Sequence, residues 1–392
     1  LDHNERTAGP HERRVEISQV AAASVVARVS TIELFFDLVF VFTVTQLTDL
    51  VDSAQGPLDF LRALLVLLVI WWMYDGYAWL MNDAGAHPYM RVVLIIAMLG
   101  FLVMTLSIPR IFSDTGLTFG LGYVFIVVLH LVAFAAQGDV PQNAVLGLAP
   151  FNLGAAAAVI IAGLVDSSWK WLFFMAAVGL FILTALVRRE RQFSIKASHF
   201  VERHRQVILI ALGESVAIGA GAAERALDAW TVAAMTLSLI LLAGLWWAYF
   251  DSEDERAERA LGVAIPEARS RMALLGYGYA HPLMISGILL LATGIRRVLT
   301  PGGWASGSAW LVAIGTSVYF LGDVAFRQVV RIQPVIVRAM GVVIALPMGL
   351  VGLTWGGVAE IGALTVLIAA PLIIEHRLEQ GEAGNPAGSS RY

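Results

Sequence analysis

Thr31-Ile32-Glu33-Leu34-Phe35-Phe36-Asp37-Leu38-Val39-Phe40-Val41-Phe42-Thr43-Val44-Thr45-Gln46-Leu47 decides how the rest of the chain is read. The stretch is apolar and aromatic and holds neither Gly nor Pro. A helix rises 1.5 Å per residue, so the ~30 Å hydrocarbon core of a bilayer needs about 20 such residues. Two carboxylates nevertheless stand inside it. Glu33 and Asp37 are four apart, which places them on one helix face and roughly 6 Å apart in depth. Carboxylates there are costly and turn toward a bundle interior. The stretch therefore reads as a membrane helix with one face reserved for other helices.

Similar apolar runs recur outward from it. Helices are expected near 31–51, 59–81, 90–109, 117–136, 144–165, 169–187, 200–221, 228–250, 271–295, 305–326, 335–353 and 357–375. The composition agrees. Of 392 residues, 58% are hydrophobic and 14% charged, with mean hydropathy +0.75. Soluble domains carry about 25% charged residues, so too little charge is left to coat a soluble surface. The 36 glycines suit close approach of membrane helices. The expected fold is all-α: a polytopic transmembrane bundle of about twelve helices, arranged as two six-helix repeats.

The repeat rests on matched features. Trp71-Trp72-Met73-Tyr74-Asp75 in the second segment answers Trp246-Trp247-Ala248-Tyr249-Phe250-Asp251 in the eighth. His130 and Asp323 each precede Val/Ala/Phe-containing ends of the fourth and tenth segments, and Gly122 and Gly315 each stand eight positions before them. Glu33 answers Glu202. Two such halves of equal orientation are related by an axis along the membrane normal. The expected divisions are a polar cytoplasmic N-terminal segment at 1–27, a first repeat at 28–190, a second at 198–376 and a disordered Gly/Ser/Pro-rich tail at 379–392.

Basic residues orient the chain. With the N-terminus inside, most of the 26 Lys and Arg residues fall on the inner side, and only Arg62, Arg110, Lys170, Arg225, Arg296 and Arg297 fall outside. The positive-inside rule then puts both termini in the cytoplasm, in a bacterial inner membrane. The chain has no cysteine, which excludes disulfides, thiolate metal sites and cysteine nucleophiles. A net charge of −4 gives no reason to expect a nucleic-acid partner. The expected partners are membrane lipid and an ion or small-molecule substrate, and a homo-oligomer is compatible with the sequence.

The polar groups within membrane segments are the site candidates: Glu33, Asp37, Gln46, His130, Glu202, Glu214, His281 and Asp323. Glu214 lies 12 residues after Glu202, about 18 Å deeper, which brings it near the bilayer centre. His281 is followed by Pro282 at a similar depth. Each has a structural alternative. The acids of the inner half can pair with Arg28, Arg203, Arg205 or Arg338 and lock helices together. Asp75 and Asp251 can be solvated at the interface, and His130 and His281 can be satisfied core histidines. No His-x-x-x-His or Glu-x-x-His pair stands inside a segment, so no metal and no cofactor is expected. No phosphate-binding loop is present either, which excludes ATP-driven pumping by this chain alone.

These residues resemble a known family. Glu33-Leu34-Phe35-Phe36-Asp37-Leu38-Val39-Phe40-Val41-Phe42 with Gln46 carries the likeness, together with Glu202-Arg203-His204 followed by Leu212-Gly213-Glu214-Ser215. Trp246-Trp247 through Tyr249-Phe250-Asp251, then Tyr279-Ala280-His281, completes it. The chain is similar to the low temperature requirement A (LtrA) proteins over about residues 28–375. The resemblance implies a bacterial polytopic membrane protein linked by name to growth in the cold, without a settled chemistry. The chain departs from that pattern at Asp75. A shorter likeness is confined to Arg28–Asp37. It resembles the first helix of the two-repeat potassium channels of endolysosomes and bacteria, except that Phe36 replaces a serine and the seventh segment lacks the motif.

Three functions follow as expectations. A transporter or channel for an ion or small solute would use Glu33 and Asp37 to attract a cation and Glu214 with His281 to relay protons. An intramembrane enzyme would use the same Asp, Glu and His groups as acids and bases on a lipid-like or isoprenoid substrate, between aromatic walls. A non-catalytic membrane partner is the third.

Overall fold

The computed structural model describes residues 29–84, 88–137, 142–187, 195–222, 228–300, 302–303 and 307–383. Arg28, the expected N-terminal segment and residues 384–392 of the expected tail lie outside these. Among the described residues every regular element is helical. The helices are α1 (Thr31–Asp52), α2 (Pro57–Ala84), α3 (Pro88–Ser107), α4 (Gly116–Ala135), α5 (Gln142–Leu164), α6 (Lys170–Val187), α7 (Ala197–Ala222) and α8 (Ala229–Phe250). They continue as α9 (Glu253–Val263), α10 (Pro266–Ala273), α11 (His281–Leu299), α12 (Ala309–Val330), α13 (Ile336–Ala345), α14 (Met348–Trp355) and α15 (Gly357–Ala383).

Among the described residues, ten helical stretches are long and apolar enough to cross a membrane. The protein is thus a multi-pass membrane protein. Two expected spans, α6 and α7, are not among those ten. α6 is apolar from Trp171 through Val187. α7 carries Glu202, Arg203, Arg205 and Glu214, which lower its hydropathy.

Local chemistry sets the ends and breaks. Ser30 precedes α1, and the Glu33 carboxylate turns back to accept from the Ser30 amide at 2.7 Å and its hydroxyl at 2.6 Å. That satisfies donors a helix start leaves open. The expected polar connection at 251–270 folds into α9 and α10. The Arg269 guanidinium caps the end of α9, donating to the carbonyls of Leu261 at 2.7 Å and of Gly262 and Ala264 at 3.0 Å. It also reaches the Ile195 carbonyl at 3.2 Å, just before α7. The expected helix at 335–353 is broken between α13 and α14, where Leu346-Pro347 interrupts it. The last helix runs on to Ala383, because its polar end, Glu379-Gln380, still favours helix.

α10 continues into α11 through a wider π turn, Leu274–Ala280. Pro282 explains it. In an α-helix the Gly278 carbonyl would accept from residue 282, which has no N–H. That carbonyl accepts instead from the Trp71 indole of α2 at 3.2 Å.

Neighbour relations run in two series. α1 packs on α3, α3 on α4, α4 on α5, α5 on α6, and α2 on α6. Likewise α7 packs on α11, α11 on α12, α12 on α13 and α14, α14 on α15, and α8 on α15. α1 and α2 meet α7 and α11. Small residues permit the closest crossings. A Cβ at Gly122 would lie 3.2 Å from the Gly100 carbonyl of α3, and one at Gly315 would lie 2.7 Å from the Gly287 carbonyl of α11. α11 is the most enclosed helix, with His281, Met284, Ile288, Ala292 and Ile295 all buried.

Candidate functional site

The first two turns of α7 read His199-Phe200-Val201-Glu202-Arg203-His204. Spacings of three to five residues carry its polar groups around the side that meets α1 and α2. Each of the four polar groups finds a partner there. His199 Nε2 lies 3.0 Å from Glu33 Oε1. Glu202 accepts from the Val29 amide at 3.1 Å. Arg203 lies 3.1 Å from Asp37, and His204 Nε2 lies 2.9 Å from Asp75 Oδ1.

The pairs are closed to solvent. Arg203 is 0% and Asp37 1% exposed. The guanidinium stands over the Phe36 and Tyr74 rings, 5.7 and 5.8 Å from their centroids, a favourable cation–π geometry. The Tyr74 hydroxyl donates at 2.6 Å to Asp37 Oδ1, the same oxygen that Arg203 meets. Asp75 also accepts from the Trp79 indole at 3.2 Å. His204 Nδ1 meets the Phe200 carbonyl at 2.8 Å. Both His204 nitrogens therefore face oxygen partners, one on α2 and one within α7. Burying such charges is tolerable only because each is paired with an opposite charge.

His281 is close by but differently bonded. Its Nδ1 faces the Gly276 carbonyl at 2.9 Å, which leaves Nε2 to accept from the Tyr249 hydroxyl at 2.8 Å. The His204 and His281 rings lie 5.9 Å apart, with the Tyr277 ring within 4.8 Å of one and 4.6 Å of the other. The two histidines and Asp75 thus form one polar-aromatic column.

Asp323 belongs to a separate buried group. It lies 3.2 Å from Arg338 and 3.9 Å from Arg327, and both arginines reach Glu253 at the start of α9. This ties α9, α12 and α13 together. His130 donates from Nε2 to the Gly76 carbonyl at 3.0 Å and is a buried histidine between α4 and α2. At the opposite end of α1, Asp49 pairs with Arg296 and Asp52 with Arg297, the latter at 2.7 Å. Between the two ends, half-buried Glu214 accepts from the Thr45 hydroxyl, and half-buried Gln46 follows Thr45 on α1.

Glu33, Asp37 and Glu202 are therefore brought into one network across the α1–α7 contact. His281 lies beside it, Glu214 and Gln46 lie further along the same helices, and His130 and Asp323 lie apart. Sequence reasoning placed Asp75 in interfacial solvent, whereas it is buried on His204. It also passed over His199, Arg203, His204, Tyr74, Glu253 and Arg327 as site members. The density of His199-Phe200-Val201-Glu202-Arg203-His204-Arg205 was the available signal, because five polar groups in two turns cannot all face lipid. Chemically the arrangement joins Glu33 and Asp37 of α1 and Asp75 of α2 each to a base of α7. Such pairs hold two helices together and release them when a proton or cation takes the partner's place.

Comparison with known proteins fits this architecture. An uncharacterised protein of Rhizobium meliloti (strain 1021) is 24% identical over 279 residues, covering 67% of each chain. No solved structure matches. The family model described as bacterial low temperature requirement A protein (LtrA) matches residues 28–374. With that match spanning most of its length, the chain belongs to the LtrA family of bacterial membrane proteins.

Proposed function

We propose that the protein is a transporter or channel that moves an ion or small solute across the bacterial cell membrane, with protons as a coupling ion. The observation that carries this reading is the placement of ion pairs between α1–α2 and α7–α11. Glu33–His199, Asp37–Arg203 and Asp75–His204 stand at one end, and Asp49–Arg296 and Asp52–Arg297 at the other. Two layers of breakable contacts between the same two bodies suit alternating access, in which one layer opens while the other holds. Permanent anchoring would not need charge at both ends.

The bodies in this reading are two six-helix repeats, α1–α6 and α7–α15. Two observations support it. The order of neighbours in one series matches the other. The matched glycines Gly122 and Gly315 each seat on a glycine carbonyl of the preceding spanning helix, and the contacts continue one turn further on, at Met104 and Leu291. Both termini lie in the cytoplasm in this proposal, which puts the three-pair layer on the inner side, as the distribution of Lys and Arg favours.

The test is flux of protons, potassium, sodium and chloride into liposomes holding the purified protein, under an imposed potential. Glu33→Gln, Asp37→Asn and Glu214→Gln are run beside it. A selective flux, changed by these substitutions, supports the proposal. No flux of any ion or of small-solute tracers, with all proteins folded, defeats it.

A further inference from the structure

Among the described buried acids, Glu33, Asp37, Asp75, Glu253, Asp254 and Asp323 each face a basic group. Glu360, in the first turn of α15 and 0% exposed, faces none. Its carboxyl is turned to the Ala313 backbone of α12, yet neither oxygen closes a hydrogen bond. The ionisable groups on the helices packed against α15 are committed elsewhere. Arg296 and Arg297 of α11 hold Asp49 and Asp52, and Arg327 and Asp323 of α12 and Arg338 of α13 form the group with Glu253. His281 of α11 bonds Tyr249 of α8, and Tyr319 of α12 donates to the Leu245 carbonyl. α8 and α14 carry no charged residue.

The carboxyl sits where a side chain is missing. A Cβ at Gly352 of α14 would overlap Glu360 Oε2, and it would stand 3.1 Å from the Cβ of Ala309, the first residue of α12. A similar crossing in the first series holds no acid. There Gly163 of α5 closes directly on Gly116, the first residue of α4, and a Cβ on Gly163 would stand 2.6 Å from the Gly116 carbonyl carbon. Packing of such a crossing therefore does not require a carboxyl. α14 is a short unit of eight residues between two breaks, Leu346-Pro347 before it and Gly356, with φ 88°, after it. Breaks of that kind let a segment turn while the longer helices stay in place.

An ionised carboxylate sealed from water with no counter-charge and no hydrogen bond is strongly disfavoured, and the neutral acid much less so. We propose that Glu360 is a proton-binding site, filled while α14 lies on α12 and emptied when α14 turns away and admits water. On emptying, the acid O–H breaks, the proton passes to water and the carboxylate remains. Gly352 supplies the seat, and Leu346-Pro347 and Gly356 are the hinges. Gly294 near the end of α11 packs on Val312 in the first turn of α12. The site thus lies toward the end of the bundle that carries Asp49–Arg296 and Asp52–Arg297. The proposal deepens the transport reading by giving the coupling proton a carrier, and it rests on that reading for this role alone.

The measurement is infrared difference spectroscopy of the full chain in lipid films, titrated from acid to alkaline pH. The carbonyl stretch of a neutral carboxylic acid is expected at neutral pH and is expected to be lost in Glu360→Gln. Gly352→Ala pushes the carboxyl off its seat toward the nearby end of the bundle, where Trp355 is 77% exposed. The midpoint of the band should then fall by about one pH unit, a ~10-fold weaker hold on the proton. Glu255→Gln alters an exposed acid and is expected to leave the band in place. Spectra of Glu360→Gln and the unaltered protein that superimpose at neutral pH overturn the proposal, as does a midpoint unmoved by Gly352→Ala. The expected band without flux of any ion or solute leaves this site standing and removes the transport reading.

Discussion

Asp37 and Arg203 show what a buried pair demands of its neighbours. Each charge alone would be stranded, so removal of one partner is expected to be worse than removal of both. Arg203→Gln should lower stability by about 3–5 kcal/mol, as expected when one buried charge is left unpaired. Arg203→Gln combined with Asp37→Asn should recover most of that loss. Thermal melting of the single and double variants in detergent checks this, and a double variant as unstable as the single would mean the pair does not couple. The sequence marked Asp37 correctly as an inward acid, because helical spacing from Glu33 is a local property. It named Arg203 only as one of four candidate partners for the inner acids, because the two are separated by five helices along the chain and meet only through tertiary packing.

At the scale of helices, close crossings and caps carry the architecture. A Cβ at Gly315 would stand 2.6 Å from the Leu291 amide nitrogen and 2.7 Å from the Gly287 carbonyl, so the backbones themselves must separate. At Gly122 the closest obstacle is the Met104 side chain at 2.9 Å, which can move. Gly315→Ala is therefore expected to cost about 1–3 kcal/mol by overpacking, and Gly122→Ala less. Melting temperatures of the two variants rank them. Arg269→Ala removes the donors to three carbonyls at the end of α9 and one before α7. Faster amide hydrogen exchange over 253–263 is the expected result, with exchange in α11 unaltered. Most helices were legible from apolar runs alone. The π turn was not, because Pro282 announces a lost hydrogen bond without stating whether the chain kinks, breaks or widens there.

At the scale of the molecule, orientation can be tested directly, because the chain has no cysteine of its own. Gln55 and Glu255 are both exposed, at opposite ends of the bundle. Gln55→Cys should react with a membrane-impermeant thiol reagent on intact cells, and Glu255→Cys only after permeabilisation. The reverse pattern would invert the topology and place the three-pair layer outside.

The sequence by itself determined that this is an all-helical membrane protein, where nearly all its spans lie, and which acids could not face lipid. Those conclusions follow from hydropathy, rise per residue and helical periodicity, all of them local. The tertiary structure alone decided which base meets which acid, that Asp75 is buried on His204, and that Glu214 meets only a hydroxyl. Partner choice depends on which helices cross and at what depth. Neighbours hundreds of residues apart set that, and no local pattern records it.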